Sequence, residues 1–226
     1  LKGDGVLQPG KKVKVGAEVH EAKKAVVIAT GSRVKGIPPL GLEINKTTVI
    51  SSDEALFLEK APASIAVIGA GAVGCEFADI FNSFGSKVTL IEALPKILPL
   101  EDGECSDAVA KSYKKRGIDV FAGAKVVKAE VGKEKVTLTL EAGGKSQTVE
   151  AEKVLMAAGR AVNTENMGFK ESGVELTDRG FVVVLGADPS KAYIQEFVAS
   201  LPGPPRVVVG GMPEILGEMR GFFTVP

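Results

Sequence analysis

Up to about Gly31, short runs with apolar residues at alternate positions, Lys12-Val13-Lys14-Val15 and Ala17-Glu18-Val19-His20 followed by Ala25-Val26-Val27-Ile28, are separated by glycine-bearing turns and predict a β-meander. The stretch from Gly36 to Thr48 carries Pro38-Pro39 and predicts a loop. Ser51-Ser52-Asp53-Glu54 ahead of Ala55-Leu56-Phe57-Leu58 has the spacing of a capping box and predicts a short helix ended by Pro62. Ile65-Ala66-Val67-Ile68 is an apolar run and predicts a strand. A glycine cluster and a helical segment follow, Cys75-Glu76-Phe77-Ala78-Asp79-Ile80-Phe81, ending near Phe84-Gly85; then comes a strand, Lys87-Val88-Thr89-Leu90-Ile91-Glu92.

A turn at Pro95 to Pro99 and a polar-faced helix from about Gly103 to Lys115, stopped at Gly117, complete this α/β stretch. The period then changes to two. Asp119-Val120-Phe121, residues 125–131, residues 135–140 and Gln147-Thr148-Val149 predict successive strands, and Lys153-Val154-Leu155-Met156 returns as a buried one. The fold class expected is α/β, a Rossmann-like parallel sheet with a β-meander excursion, preceded by a smaller β-meander. Three segments follow from this: 1–50, 51–165, and 166–226 as a connection with an atypical carboxyl-terminal β-α-β region. In that last region Phe181-Val182-Val183-Val184-Leu185 precedes Asp188-Pro189, a helix to Ser200, and Arg206-Val207-Val208-Val209-Gly210-Gly211.

Composition narrows the class of function. With 28 basic and 28 acidic residues the chain presents no field of one sign, which argues against nucleic acid and against an anionic membrane. Its amino end lacks the order of a signal peptide, and no apolar stretch has the length of a membrane span, so a cytoplasmic or, in a eukaryote, mitochondrial-matrix location is expected. Cys75 and Cys105 form no C-x-x-C pattern and give neither a disulfide framework nor a zinc cluster. A helix start could lower the pKa of the Cys75 thiol, but a small packing residue is the favoured reading.

The candidate chemistry sits at Gly69-Ala70-Gly71-Ala72-Val73-Gly74, between a strand and a helix. Glycines at that spacing allow a tight turn and close backbone approach, and the helix start offers N–H groups and a positive dipole end to a pyrophosphate. Glu92 lies at the end of the next strand, about twenty residues on, where a carboxylate accepts hydrogen bonds from an adenosine ribose and repels a 2′-phosphate. The cofactor expected is therefore NAD rather than NADP, although Lys96 is close in sequence.

Together with the strand and turn Val26-Val27-Ile28-Ala29-Thr30-Gly31-Ser32-Arg33, the helix signal at Ser51, Ile97-Leu98-Pro99, Ala157-Ala158-Gly159-Arg160 and Asn163-Thr164, these residues resemble the flavoprotein disulfide reductases, most of all the dihydrolipoamide dehydrogenases. The resemblance runs to about residue 184. It implies that Gly69, Gly71, Ala72, Val73 and Gly74 meet the NAD pyrophosphate, that Glu92 takes the ribose, and that Gly159 borders the nicotinamide half. It places Glu76 near nicotinamide and flavin; from the residues alone, Glu76 is also a carboxylate stabilised in the first turn of a helix. Thr30 and Gly31 resemble a contact with FAD.

In the intact family, FAD carries electrons from a substrate through a redox disulfide to NAD, a lipoyl-bearing protein of a 2-oxoacid dehydrogenase complex is the partner, and the enzyme is a homodimer. The 226 residues contain no amino-terminal FAD glycine motif, no C-x-x-x-x-C pair, no second FAD motif and no histidine-glutamate dyad, since His20 is followed by Glu21 without a proline. The expectation is a fragment holding the NAD-binding domain, without catalytic residues of its own and without the dimerisation domain. A stand-alone NAD-binding or sensing module, and a related reductase such as mercuric reductase, are the alternatives; Glu92 argues against the NADP-preferring glutathione reductases.

Overall fold

The computed structural model describes residues 1–183, and the β-α-β expectation for the final region lies outside them. By its contacts the chain divides into two units, one of residues 1–32 and 162 onward, the other of residues 33–161.

In the first unit β1 (Gly5–Gln8), β2 (Lys12–Val15) and β3 (Glu18–Glu21) form an antiparallel sheet in which Val13 pairs with Leu7 and with His20. Ile28, Phe169 and Val174 make its core, with Leu7, Met167, Leu176 and Val182 packed around them. One expectation fails here. Residues 25–28 form no strand; Val27 is 70% exposed while Ile28 is buried. The apolar run supplies one side chain to the core as a loop, and β propensity without a partner strand does not make a ladder.

The second unit is built on a parallel sheet of five strands in the order β5 (Val49–Ile50), β12 (Lys153–Met156), β6 (Ser64–Ile68), β7 (Lys87–Glu92), β8 (Asp119–Ala122). Residues 33–50, grouped by sequence with the first segment, belong to this unit, and Val49 and Ile50 register with Val154 and Leu155. The strands β4 (Ser32–Val34) and β13 (Arg160–Val162) carry the chain across the division.

Each face of the sheet has its own cover. Ile65, Val67, Val88, Leu90 and Leu155 pack with Ala55 of α1 (Ser52–Leu56), with Cys75, Phe77, Ala78 and Phe81 of α2 (Ala72–Ser83), and with Tyr113 of α3 (Gly103–Lys115). Ala66, Ile68, Ile91, Val154 and Met156 pack instead with Val136, Leu138, Leu140 and Ala151 from the antiparallel sheet of β9 (Lys125–Val131), β10 (Val136–Ala142) and β11 (Lys145–Ala151). This is why β6 reads as unbroken apolar sequence: both of its faces are buried.

Local signals set the helix ends. Ser51 accepts from the Asp53 N–H while Glu54 accepts from the Ser51 N–H and hydroxyl, so the expected capping box is formed. Asp102 caps α3 by accepting from the Glu104 N–H, and Lys114 and Lys115 occupy its last turn, where the dipole favours cations.

Candidate functional site

The strand β6 ends at Ile68 and the chain turns through Gly69-Ala70-Gly71 into α2. The three glycines of the motif are needed for different reasons. Gly69 has φ +100°, and a Cβ there would lie 2.5 to 2.7 Å from the backbone of Ala157 and Ala158. A Cβ on Gly74 would overlap the carbonyl oxygen of Gly69. Both positions are closed by the protein's own main chain. Gly71 differs: its φ is −72°, ordinary for any residue, and a Cβ would meet nothing within 4 Å. The fold has no requirement for glycine at 71, and the space in front of it is open.

Gly71 is also the N-cap of α2 and brings no side chain to satisfy the helix start. The N–H groups of the first turn have no partner within a helix, so those of Ala72, Val73 and Gly74 are donors in want of an acceptor, at the positive end of the dipole. Ala72 and Val73 are exposed. No acidic residue lies in that first turn. Glu76 is the fifth helical residue, exposed and one turn on, which corrects its expected place in the first turn.

Glu92, at the end of β7, stands beside the turn. It is 9% exposed, and its Oε2 accepts from the Ala70 N–H at 2.7 Å while Oε1 accepts from the Leu94 N–H at 2.9 Å. A carboxylate offers about four lone-pair positions, so two backbone donors leave capacity for hydroxyl donors of a ligand. The spacing of Glu92 was legible in the sequence; its bond to Ala70 was not, because it depends on the parallel register of β6 and β7, in which Ile68 pairs with Ile91.

The loop after β7 engages the next peptide group of the same residue, with the Leu98 N–H donating to the Ala70 carbonyl at 2.7 Å. Ile97-Leu98-Pro99 belonged to the resemblance without a role, and nothing in its sequence marks the left-handed conformation of Leu98, φ +45°.

Gly159 has φ +101° with open space where a Cβ would be, and its carbonyl accepts from the Lys35 N–H at 3.1 Å. In the first unit Gly31, φ +67°, accepts through its carbonyl from the Asn163 N–H, and the Thr30 carbonyl accepts from the Asn163 side-chain amide at 3.0 Å.

Cys75 is a packing residue. It is buried, its Sγ faces the Ala70 carbonyl at 3.5 Å, and burial pushes its thiol up to about 11, away from the reactive range. Tyr113 donates its hydroxyl to the Cys75 carbonyl at 2.7 Å, and burial raises the phenol to about 12. Cys105 is exposed on α3 while Cys75 lies in α2. Among the described residues no group of His, Cys, Asp and Glu could hold a metal ion, and no helix is long and apolar enough to cross a membrane.

A model of the pyridine nucleotide-disulphide oxidoreductase family matches residues 2–185. Among curated relatives, the dihydrolipoamide dehydrogenase of Chaetomium thermophilum is 41% identical over 191 residues, which are 81% of this chain and 38% of the relative. The dihydrolipoyl dehydrogenase of Bacillus subtilis is 40% identical over 163 residues, 71% of this chain and 34% of the relative. Among solved structures, the HOCl-induced flavoprotein disulfide reductase RclA of Escherichia coli superposes with a TM-score of 0.69 at 27% identity, covering 81% of this chain and 41% of that one. The chain belongs to the pyridine nucleotide-disulphide oxidoreductase family and spans about 40% of the length of such relatives.

Proposed function

We propose that this member of the family binds NAD(H) at its glycine turn and is the NAD-binding part of a dihydrolipoamide dehydrogenase-like, FAD-dependent oxidoreductase. The observation that carries the reading is Gly71: the one glycine of the motif that the fold does not require stands at an uncapped helix start, with open space in front and a buried carboxylate close by in the chain's turn-back.

In this reading the N–H groups of Ala72, Val73 and Gly74 hold the pyrophosphate, Gly69 and Gly71 let the backbone approach it, and Glu92 spends its free lone pairs on the adenosine ribose. Glu76 and Gly159 serve the nicotinamide half. Thr30 and Gly31 serve as FAD contacts in a protein of the relatives' length. When bound there, the flavin would supply the electron relay between a disulfide and the nicotinamide, and the role of the present residues is to position and select the nucleotide. Burial and a raised thiol pKa support a packing role for Cys75 in this reading. The relatives' names support dihydrolipoyl groups as the substrate class; a lipoyl-bearing protein as the partner and a homodimer as the assembly of the whole protein are what the family resemblance implies.

Glu92 sets the choice of nucleotide. A 2′-phosphate would be pressed against a buried carboxylate, a like-charge contact of a few kcal/mol, or roughly a hundredfold in affinity. Fluorescence titration of the 226-residue chain should give tighter binding of NADH than of NADPH by about that factor. Equal affinities, or no binding of either, would overturn the reading.

A further inference from the structure

Ala70, between the first two glycines of the motif, is fully buried, and its backbone N–H and carbonyl are both engaged, one by the last residue of β7 and the other by the loop that follows. Its N–H donates to Glu92 at 2.7 Å, and its carbonyl accepts from the Leu98 N–H at 2.7 Å. Leu98 achieves this at φ +45°, a left-handed conformation that a Cβ-bearing, unsupported leucine avoids. The strain is held from each side. The Ile97 carbonyl accepts from the Ser106 hydroxyl at 2.5 Å, the Leu98 carbonyl accepts from the Glu101 N–H at 2.9 Å, and the Leu98 side chain packs against the helical core. A strained backbone that its surroundings over-determine is a feature of positioned sites.

We propose that Leu98 is a positioning residue for the nucleotide: its left-handed backbone aims an N–H at Ala70 and, opposite Glu92, fixes the glycine turn in the form that receives the pyrophosphate. The loop after β7 thus contributes to affinity without touching the ligand. This rests on the NAD reading of the same turn, and Leu98 separates the two ideas because its bond goes to Ala70 rather than to nucleotide.

The test compares Leu98→Val with Leu98→Asn in the full chain, with NADH and ADP as the probes in calorimetry. Both changes remove the leucine packing, but valine is excluded from φ near +45° whereas asparagine adopts it readily. Leu98→Val should weaken NADH and ADP in parallel by about tenfold or more, and Leu98→Asn should recover most of the loss. Should the valine variant fail to fold, Leu98→Ala against Leu98→Gly makes the same comparison, with glycine expected to bind more tightly than alanine. Parent-like affinity of the valine variant, or equal affinities within the usable pair, would overturn the clamp. A parent chain that binds neither NADH nor ADP would instead overturn the site itself.

Discussion

Two segments of this chain are written in nearly the same way and fold differently: Ile65-Ala66-Val67-Ile68-Gly69 in the second unit, and Val26-Val27-Ile28-Ala29-Thr30-Gly31 in the first. Each is an apolar run delivered into glycine. The former is a strand with parallel neighbours on both sides, and its glycine is packed against the backbone of Ala157 and Ala158. The latter is a loop with Val27 exposed, and its glycine has no atom within 4 Å of where a Cβ would be. The difference is made by what arrives from elsewhere in sequence: β12 and β7 flank one run, while Asn163 meets the backbone of the other at Thr30 and Gly31. Hydrophobicity selects the run, and long-range pairing decides whether it becomes a strand.

The sharpest way to break the comparison is to add a side chain to each kind of glycine. Gly74→Ala places a Cβ into the Gly69 carbonyl, so strand and helix must separate. The variant should lose its cooperative thermal transition or accumulate as insoluble protein, since the main chain cannot be moved aside as a flexible side chain can. Gly71→Val, three residues away, enters open space at an unstrained φ. It should melt within about 2–4 °C of the parent while losing NADH binding in calorimetry. Parent-like NADH affinity in Gly71→Val would remove the pyrophosphate from this turn.

The same contrast tells how much was legible beforehand. The helix at Ser51, the glycine turn and the strand end at Glu92 announce themselves because short-range chemistry dictates them, and the run at Ile65 announces its burial though not its partners. The turn at Pro95 to Pro99 was legible as a turn, but its left-handed residue was not. Leucine carries no preference for the left-handed region, so the conformation of Leu98 is imposed by Ser106 and Glu101 and cannot be read from its own identity. The failed strand at residues 25–28 has the same origin, and so does the placement of Glu76, since the helix begins at Ala72 only once Gly71 is its N-cap.

A smaller effect concerns pH and the helical side of the glycine turn. Burial holds the Cys75 thiol up from 9.0 to about 11 and the Tyr113 phenol up from 10.0 to about 12. For both groups the folded form retains its proton to higher pH than the unfolded form, so their contribution is fully present below the unfolded values and is lost as pH rises through the folded ones. Stability should therefore fall between about pH 9 and pH 12, and the slope over the upper part of that window should be shallower in Tyr113→Phe. At neutral pH the same variant should lose about 1 kcal/mol, because the Cys75 carbonyl gives up a buried donor. An unchanged alkaline slope in denaturant titrations would mean that Tyr113 is not held protonated by the fold.

The smallest effect is expected at the open turn. Asn163→Ala removes the amide that donates to the Thr30 carbonyl, leaving the Asn163 N–H on Gly31 in place. One partly buried neutral hydrogen bond is worth about 1 kcal/mol, or about 2–4 °C in melting temperature for a chain of this size. NADH affinity should be unchanged, because the Thr30–Gly31 turn belongs to the first unit and the glycine turn to the second. If Asn163→Ala instead weakened NADH as strongly as Gly71→Val, the two turns would be energetically coupled, and the contrast between a turn held by its own sheet and one met by a residue distant in sequence would fail.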